Sequence, residues 1–308
     1  MNISFYGPKN KIHLWKAAFL KHCPHAFFKA WEPGDAPADY AIVWQPNRQF
    51  FAEQTQLKAV FNLGAGVDAV ITHTNLPATL PIVKLEDAGM AQQMFEYVLY
   101  AVLHYFRNMD AYDFQQKNRL WNELPISKTA ADFVVGVMGL GNIGQYVAQQ
   151  LAAYGFTVEG WSRTEKVLKG IRTHAGMPAL GNFLEQLDAV VLLLPHTPET
   201  KHILNQQRLA QLKAGAALIN VGRGDLLCTK ALLEALDTAH LRGAFLDVFE
   251  VEPLPDTSSL WTHPKVRLTP HISACTLIEP SMAQIAQKIL DLEAGKPISG
   301  IVNPTLGY

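Results

Sequence analysis

Three side chains in this sequence have types suited to proton transfer beside a carboxylate: Arg223, Glu252 and His271. Arg223 lies in Asn220-Val221-Gly222-Arg223-Gly224-Asp225, directly after an apolar run, where a guanidinium fork can grip a carboxylate through two parallel hydrogen bonds. The same residue would serve equally as a solvated arginine in a glycine turn. Glu252, in Asp247-Val248-Phe249-Glu250-Val251-Glu252-Pro253, and His271, in Thr269-Pro270-His271-Ile272, can pair as a carboxylate that holds and charges an imidazole. With 11 histidines in the chain, residue type alone does not single one out.

A second constellation is made of glycines. Residues 133–144 read FVVGVMGLGNIG, a β-branched apolar run that stops at Gly139, after which Gly139, Gly141 and Gly144 fall in the spacing G-x-G-x-x-G. The pattern predicts strand, tight turn and a helix over 145–154, followed by a second strand over 157–161. The first glycine permits the turn, the second lets backbone approach a pyrophosphate, and the third lets helix pack on strand, with the helix N-terminus aimed at the phosphates. An isolated glycine pattern is also compatible with an ordinary loop or a methyltransferase-type turn; the βαβ setting favours the dinucleotide.

The elements that must position these residues follow from the rest of the chain. A length of 308 residues predicts two domains, and 49% hydrophobic with 17% charged residues describes globular protein. A net charge of −1 provides no bulk attraction for nucleic acid or an anionic membrane, so a substrate anion must be held locally. Cys23, Cys228 and Cys275 form no C-x-x-C and are read as buried free thiols; no metal-ligand cluster is expected. No secretory leader or membrane-length apolar run is read, so the expected setting is cytoplasmic.

Alternating signals predict strands over 3–6, 40–44 and 58–63 with a helix over 11–22, then a long helix over 85–107 carrying a hinge, and a more polar connecting arm over 108–131 that contains Trp121 and Pro125. Further strands are expected near 133 and over 157–161, 187–194, 216–221 and 241–246. The continuously apolar 189–194 run marks a strand covered on both faces, central in its sheet. The turn Gly64-Ala65-Gly66 follows a strand end, where open α/β sheets place ligand-binding backbone, although a plain turn fits equally. A terminal helix with Pro280 in its first turn and Gly295 past its end returns to the first domain, making that domain discontinuous.

On six segments in order, the sequence resembles the D-2-hydroxyacid dehydrogenase family over nearly its full length: GAGVDAV from Gly64, VMGLGNIG from Val137, LLPHTPET from Leu193, INVGRGDLL from Ile219, GAFLDVFEVEPLP from Gly243 and LTPHISA from Leu268. The resemblance implies an α/β fold of two doubly wound parallel-sheet domains: a Rossmann cofactor domain over 99–275 and a smaller flavodoxin-like substrate domain over 1–98 with 276–308. It implies that Arg223 binds and polarises a 2-oxoacid, that His271 is the acid/base and that Glu252 orients it. Cofactor contacts are implied for Gly139, Gly141, Asn142, Ile143, Gly144, Pro195, Val221 and Asp247, the last meeting the nicotinamide amide.

Backbone at Ala65 and Gly66 is implied to receive the substrate carboxylate, in a pocket between the domains with Trp44 and Met90 as wall residues. The implied reaction is reduction of small 2-oxoacids, glyoxylate and hydroxypyruvate, in a homodimer. Reduction needs a hydride, a proton for the developing alkoxide and a cation for the carboxylate; nicotinamide, His271 and Arg223 supply one each. Where the second strand usually ends in an acid for the ribose hydroxyls, this chain reads Trp161-Ser162-Arg163-Thr164. Ser162 and Arg163 suit a 2′-phosphate that a carboxylate would repel, which favours NADPH over NADH; the alternative is a solvated Arg163. A rival function is an NAD(P)(H)-sensing binding protein resembling the corepressor relatives of this fold.

Overall fold

Each apolar run of this chain has two faces to bury, and a parallel sheet covered by helices on both sides buries them. The structure, a computed structural model, describes residues 1–73, 76, 77, 79–125 and 128–303. It divides into two units, Met1–Met90 with Thr276–Tyr308, and Ala91–Cys275. The first holds five parallel strands, β1 (Asn2–Tyr6), β2 (Phe27–Ala30), β3 (Tyr40–Val43), β4 (Ala59–Asn62) and β5 (Ile82–Val83), in the order β2-β1-β3-β4-β5. This is the flavodoxin order.

The second unit holds β6 (Val134–Met138), β7 (Thr157–Ser162), β8 (Arg172–Ala175), β9 (Ala189–Leu192), β10 (Ala216–Asn220), β11 (Leu241–Leu246) and β12 (Val266–Leu268). All are parallel, in the order β12-β11-β10-β9-β6-β7-β8, which is the Rossmann order extended by one strand. Strand β9 is the middle of the seven. Alternation along the strands sorts side chains into two cores. Val190, Leu192 and Leu218 enter the core with Phe183, Leu187 and Leu232, while Val191, Val137 and Ile219 enter the other with Val147, Leu151 and Phe245.

The helix Asn142–Tyr154 buries Val147, Ala148 and Leu151 and stops at Gly155, whose φ of 116° is open to glycine. The terminal helix Ile278–Glu293 buries Met282, Ile285, Ala286 and Ile289 and packs on the helix Ile12–Leu20 of the same unit.

Several expectations need correction. The helix expected over 85–107 runs only from Met90 to Phe106, because Asp87, Ala88 and Gly89 take left-handed backbone (φ 70°, 48° and 84°). The arm after it contains a helix, Met109–Lys117. Strands β2, β5, β8 and β12 were not anticipated. Of the three free cysteines only Cys23 is buried; Cys228 is half-buried and Cys275 exposed.

Candidate active site

The glycine turn after β6 adopts the geometry that its spacing demands. Gly139 has φ 107°, and a Cβ there would lie 2.5 Å from the Leu193 carbonyl oxygen; a Cβ on Gly144 would lie 1.8 Å from the Gly139 carbonyl oxygen. Both positions are closed to any other residue. Gly141 differs: a Cβ there would meet nothing within 4 Å, and no side chain caps the helix that it begins. Its first-turn N–H groups, at Asn142 and Ile143, border open space at a helix N-terminus, a fit for pyrophosphate. The turn lies between β6 and β9, where the strand order reverses.

At the end of β7 the two candidate phosphate ligands part company. Arg163 is exposed, whereas Ser162 is buried and its hydroxyl donates to the Thr164 carbonyl at 2.7 Å. The single serine proton is therefore already committed. Glu199 is within Coulomb reach of Arg163; its carboxyl is held below the ordinary range by its own backbone, then by the Thr197 hydroxyl and the Arg163 charge. Pro195 follows β9 half-buried, with its carbonyl accepting from the Thr200 hydroxyl at 2.7 Å, and Val221 follows β10 buried.

Three strands lead into their loops through a buried Asn or Asp that folds the loop. Asn62 ends β4, and its amide nitrogen donates to the carbonyls of Gly64 (3.0 Å) and Gly66 (2.7 Å). With those carbonyls engaged, the N–H groups of Ala65 and Gly66 donate to no other described residue. Asn220 ends β10: its amide donates to the Arg223 carbonyl (2.9 Å) and accepts from the Gly222 N–H (3.2 Å), which folds the turn that presents Arg223.

Asp247 follows β11 and is fully buried. Its Oδ1 accepts from the Thr269 hydroxyl (2.6 Å) and the Ile272 N–H (2.8 Å), and its Oδ2 from the Ser273 N–H (2.7 Å), while its backbone carbonyl accepts from the His271 N–H (2.9 Å). About four acceptor sites exist on a carboxylate, so roughly one stays open.

That turn holds His271 at φ 55°, a left-handed backbone that costs a non-glycine residue about 1–3 kcal/mol. The imidazole Nδ1 lies 2.8 Å from Glu252 Oε2, both side chains being partly exposed. A carboxylate only accepts here, so Nδ1 carries the proton and Nε2 faces away from Glu252. The other oxygen of Glu252 accepts from the Phe249 N–H at 3.0 Å. Gly224, next to Arg223, lies against this same loop: a Cβ there would sit 1.9 Å from the Phe249 carbonyl carbon and 2.3 Å from the Glu250 nitrogen.

Arg223, Asp247, Glu252 and His271 thus share the C-terminal edge of the sheet with the glycine turn. Trp44 follows β3 in the other unit, partly exposed, with its indole 2.7 Å from where a Gly64 Cβ would be; Met90 is buried at 4%. Asn62, Asn220, Thr269 and Gly224 escaped the sequence reading. The available signal was a polar residue closing an apolar strand, as in Ile219-Asn220 and Leu246-Asp247. Among the described residues no three or more His, Cys, Asp or Glu group as metal ligands.

The sequence profile of the D-isomer specific 2-hydroxyacid dehydrogenase NAD binding domain matches residues 99–273. Glyoxylate/hydroxypyruvate reductase A of Serratia proteamaculans (strain 568) is 46% identical over 315 aligned positions that cover both chains completely. The reductase of the same name from Yersinia enterocolitica is 44% identical at the same coverage. A D-isomer specific 2-hydroxyacid dehydrogenase of Xanthobacter autotrophicus Py2, solved with NADPH and MES, superposes with a TM-score of 0.95 at 40% identity, covering 100% of this chain and 99% of that one. The NADPH-dependent glyoxylate/hydroxypyruvate reductase of Sinorhizobium meliloti, solved with NADP and sulfate, gives a TM-score of 0.92 at 34% identity, with the same coverage. A glycine cradle at the strand-order reversal, a histidine held by a glutamate at the same sheet edge, and full-length likeness of this degree agree: the chain belongs to the D-isomer specific 2-hydroxyacid dehydrogenases.

Proposed function

We propose that this chain reduces small 2-oxoacids with NADPH, converting glyoxylate to glycolate and hydroxypyruvate to D-glycerate. The observation that carries the reading is the 2.8 Å contact of His271 Nδ1 with Glu252, on the sheet edge that also bears Arg223 and the glycine turn. NADPH supplies the hydride when bound. Glu252 fixes the ring so that Nε2 of His271 gives its proton to the carbonyl oxygen as that oxygen gains charge. Arg223 pairs with the substrate carboxylate, and its positive charge also favours the developing alkoxide. The N–H groups of Ala65 and Gly66, which donate to no other described residue, are suited to a carboxylate oxygen, with Trp44 as an apolar wall.

On the cofactor side, the backbone of Gly141, Asn142 and Ile143 receives the pyrophosphate, with Gly139 and Gly144 shaping the turn. Pro195 and Val221 line the nicotinamide end, and the open acceptor position of Asp247 takes the carboxamide N–H. Arg163 takes the 2′-phosphate, with Ser162 a second ligand only if its hydroxyl leaves the Thr164 carbonyl. The relatives named for NADPH and for these substrates support this choice.

The working form is a homodimer assembled through the cofactor domain and the arm near Trp121: Trp121 is 97% exposed, and Phe114 in the arm and Tyr100 on the preceding helix are more than half exposed. Three free thiols, one exposed, suit a reducing cytoplasm, and among the described residues no helix is long and apolar enough to cross a membrane. The test is loss of NADPH absorbance on adding glyoxylate or hydroxypyruvate to the purified protein. NADPH consumption with formation of glycolate and D-glycerate is expected. Tight NADPH binding without oxidation by either acid would overturn the reading in favour of a nucleotide-sensing protein.

A further inference from the structure

The turn that carries His271 is attached to the rest of its unit by more than Asp247. The helix Met90–Phe106 presents Gln93 and Tyr97 one turn apart on a single face. The Tyr97 hydroxyl lies 2.6 Å from Thr269 Oγ1, and Thr269 Oγ1 lies 2.6 Å from Asp247 Oδ1. Gln93 makes a reciprocal pair with the backbone of Cys275: its amide nitrogen donates to the carbonyl at 3.0 Å, and its amide oxygen accepts from the N–H at 3.2 Å. Residues 269–275 are therefore gripped at both ends by one helix and in the middle by one carboxylate.

Proton directions along this chain are determined by chemistry. An ionised Asp247 can only accept, so the single Thr269 proton points to Asp247 and the threonine oxygen must accept from Tyr97. Burial pushes the Tyr97 hydroxyl up to about 12, so it keeps its proton at any pH at which the enzyme would work. We propose that Tyr97 and Thr269 are positioning residues for His271: the ordered chain from tyrosine hydroxyl to threonine hydroxyl to Asp247 carboxylate holds the left-handed turn that aims the imidazole, with Gln93 as a second clamp. The inference rests on the reading of His271 as the proton donor. Neither hydroxyl touches the reacting atoms in this assignment, and a loosened turn costs rate through misplacement of the ring.

The experiment compares Thr269→Val, Thr269→Ser, Tyr97→Phe and the double variant Thr269→Val/Tyr97→Phe with the intact enzyme. Valine keeps the threonine shape without the hydroxyl, and serine keeps the hydroxyl. Thr269→Val should lower kcat for glyoxylate about 10- to 100-fold across the pH profile, with the Kd for NADPH within about threefold. Thr269→Ser should restore kcat to within about threefold. Because the two hydroxyls form one chain, the double variant should be no slower than Thr269→Val alone.

The amides of Ile272 and Ser273, both bonded to Asp247, should exchange hydrogen at least about tenfold faster in Thr269→Val and at the normal rate in Thr269→Ser. A wild-type kcat in Thr269→Val, a serine variant as slow as the valine, or multiplying losses in the double variant would each overturn the proposal. If the intact protein leaves glyoxylate unreduced, the reading of the reaction fails separately. The exchange rates still decide whether the clamp exists, and unchanged protection in Thr269→Val refutes it.

Discussion

Replacing Gly224 by alanine tests whether the Arg223 turn and the Glu252 loop are held in register by direct backbone contact. A Cβ at 224 would lie 1.9 Å from the Phe249 carbonyl carbon, about 1.5 Å inside the 3.4 Å at which ordinary contact begins. Both neighbours are backbone, so no side chain can swing aside, and the 249–252 loop or the Arg223 turn must move by an ångström or more. The Phe249 N–H is the group that pins Glu252, so displacement of this loop draws the carboxylate away from its 2.8 Å contact with His271. Misplacement by about 1 Å costs on the order of 100-fold in rate, and forcing a methyl into a filled space costs about 1–3 kcal/mol of stability. Gly224→Ala should therefore lower kcat for glyoxylate reduction about 100-fold, while the KM for NADPH changes little, because the glycine turn after β6 is untouched. Steady-state kinetics with each substrate saturating, alongside a thermal melt, separate these terms. A folded variant with kcat within about threefold of the parent would refute the coupling.

Other substitutions probe other parts of the site. Gly141→Ala adds a methyl that meets no protein atom, so Tm should hold while the KM for NADPH rises at least about tenfold; an unchanged KM would show that no pyrophosphate lies there. Arg163→Ala should raise the KM for NADPH about 5- to 30-fold and leave NADH alone, and equal losses with both cofactors would remove the 2′-phosphate assignment. Arg223→Lys keeps the charge but not the fork, so kcat/KM for glyoxylate should drop at least about tenfold, which full activity in the variant would contradict. Burial raises the Asp188 carboxyl, but bonds from Lys128 and the Val134 N–H with the Lys213 charge outweigh it, leaving the group below its ordinary range. That stabilisation is present above the unfolded carboxyl value and is lost as pH falls through the lower folded one. Asp188→Asn should thus cost a few degrees of Tm at pH 7, with the difference closing below about pH 4; a constant gap would exclude the linkage.

What could be read from the residues alone were features whose causes are local or fully buried. Gly144 is required by the Gly139 carbonyl five residues before it, and Gly139 by its own left-handed φ as well as by the Leu193 carbonyl; the runs at β6, β9 and β10 and the 243–246 part of β11 are apolar on both faces because both faces are covered. The reading missed β2, β5, β8 and β12, which are the two edges of each sheet. An edge strand pairs with one strand of its sheet and needs no continuous apolar run; Val266–Leu268 becomes a strand because β11 lies beside it, and Ile82–Val83 because β4 lies on one side and the segment at Gly300–Val302 bonds to the other. The residue types of Arg223, Glu252 and His271 were visible, but not their arrangement. Asn220 folding the Arg223 turn, Gly224 against Phe249, and Tyr97 reaching Thr269 across 172 positions depend on which strand ends the sheet order makes adjacent. Local sequence carries propensity and pattern, whereas a buried carboxylate with three donors is assembled only when distant segments converge, so its partners were decided by tertiary structure.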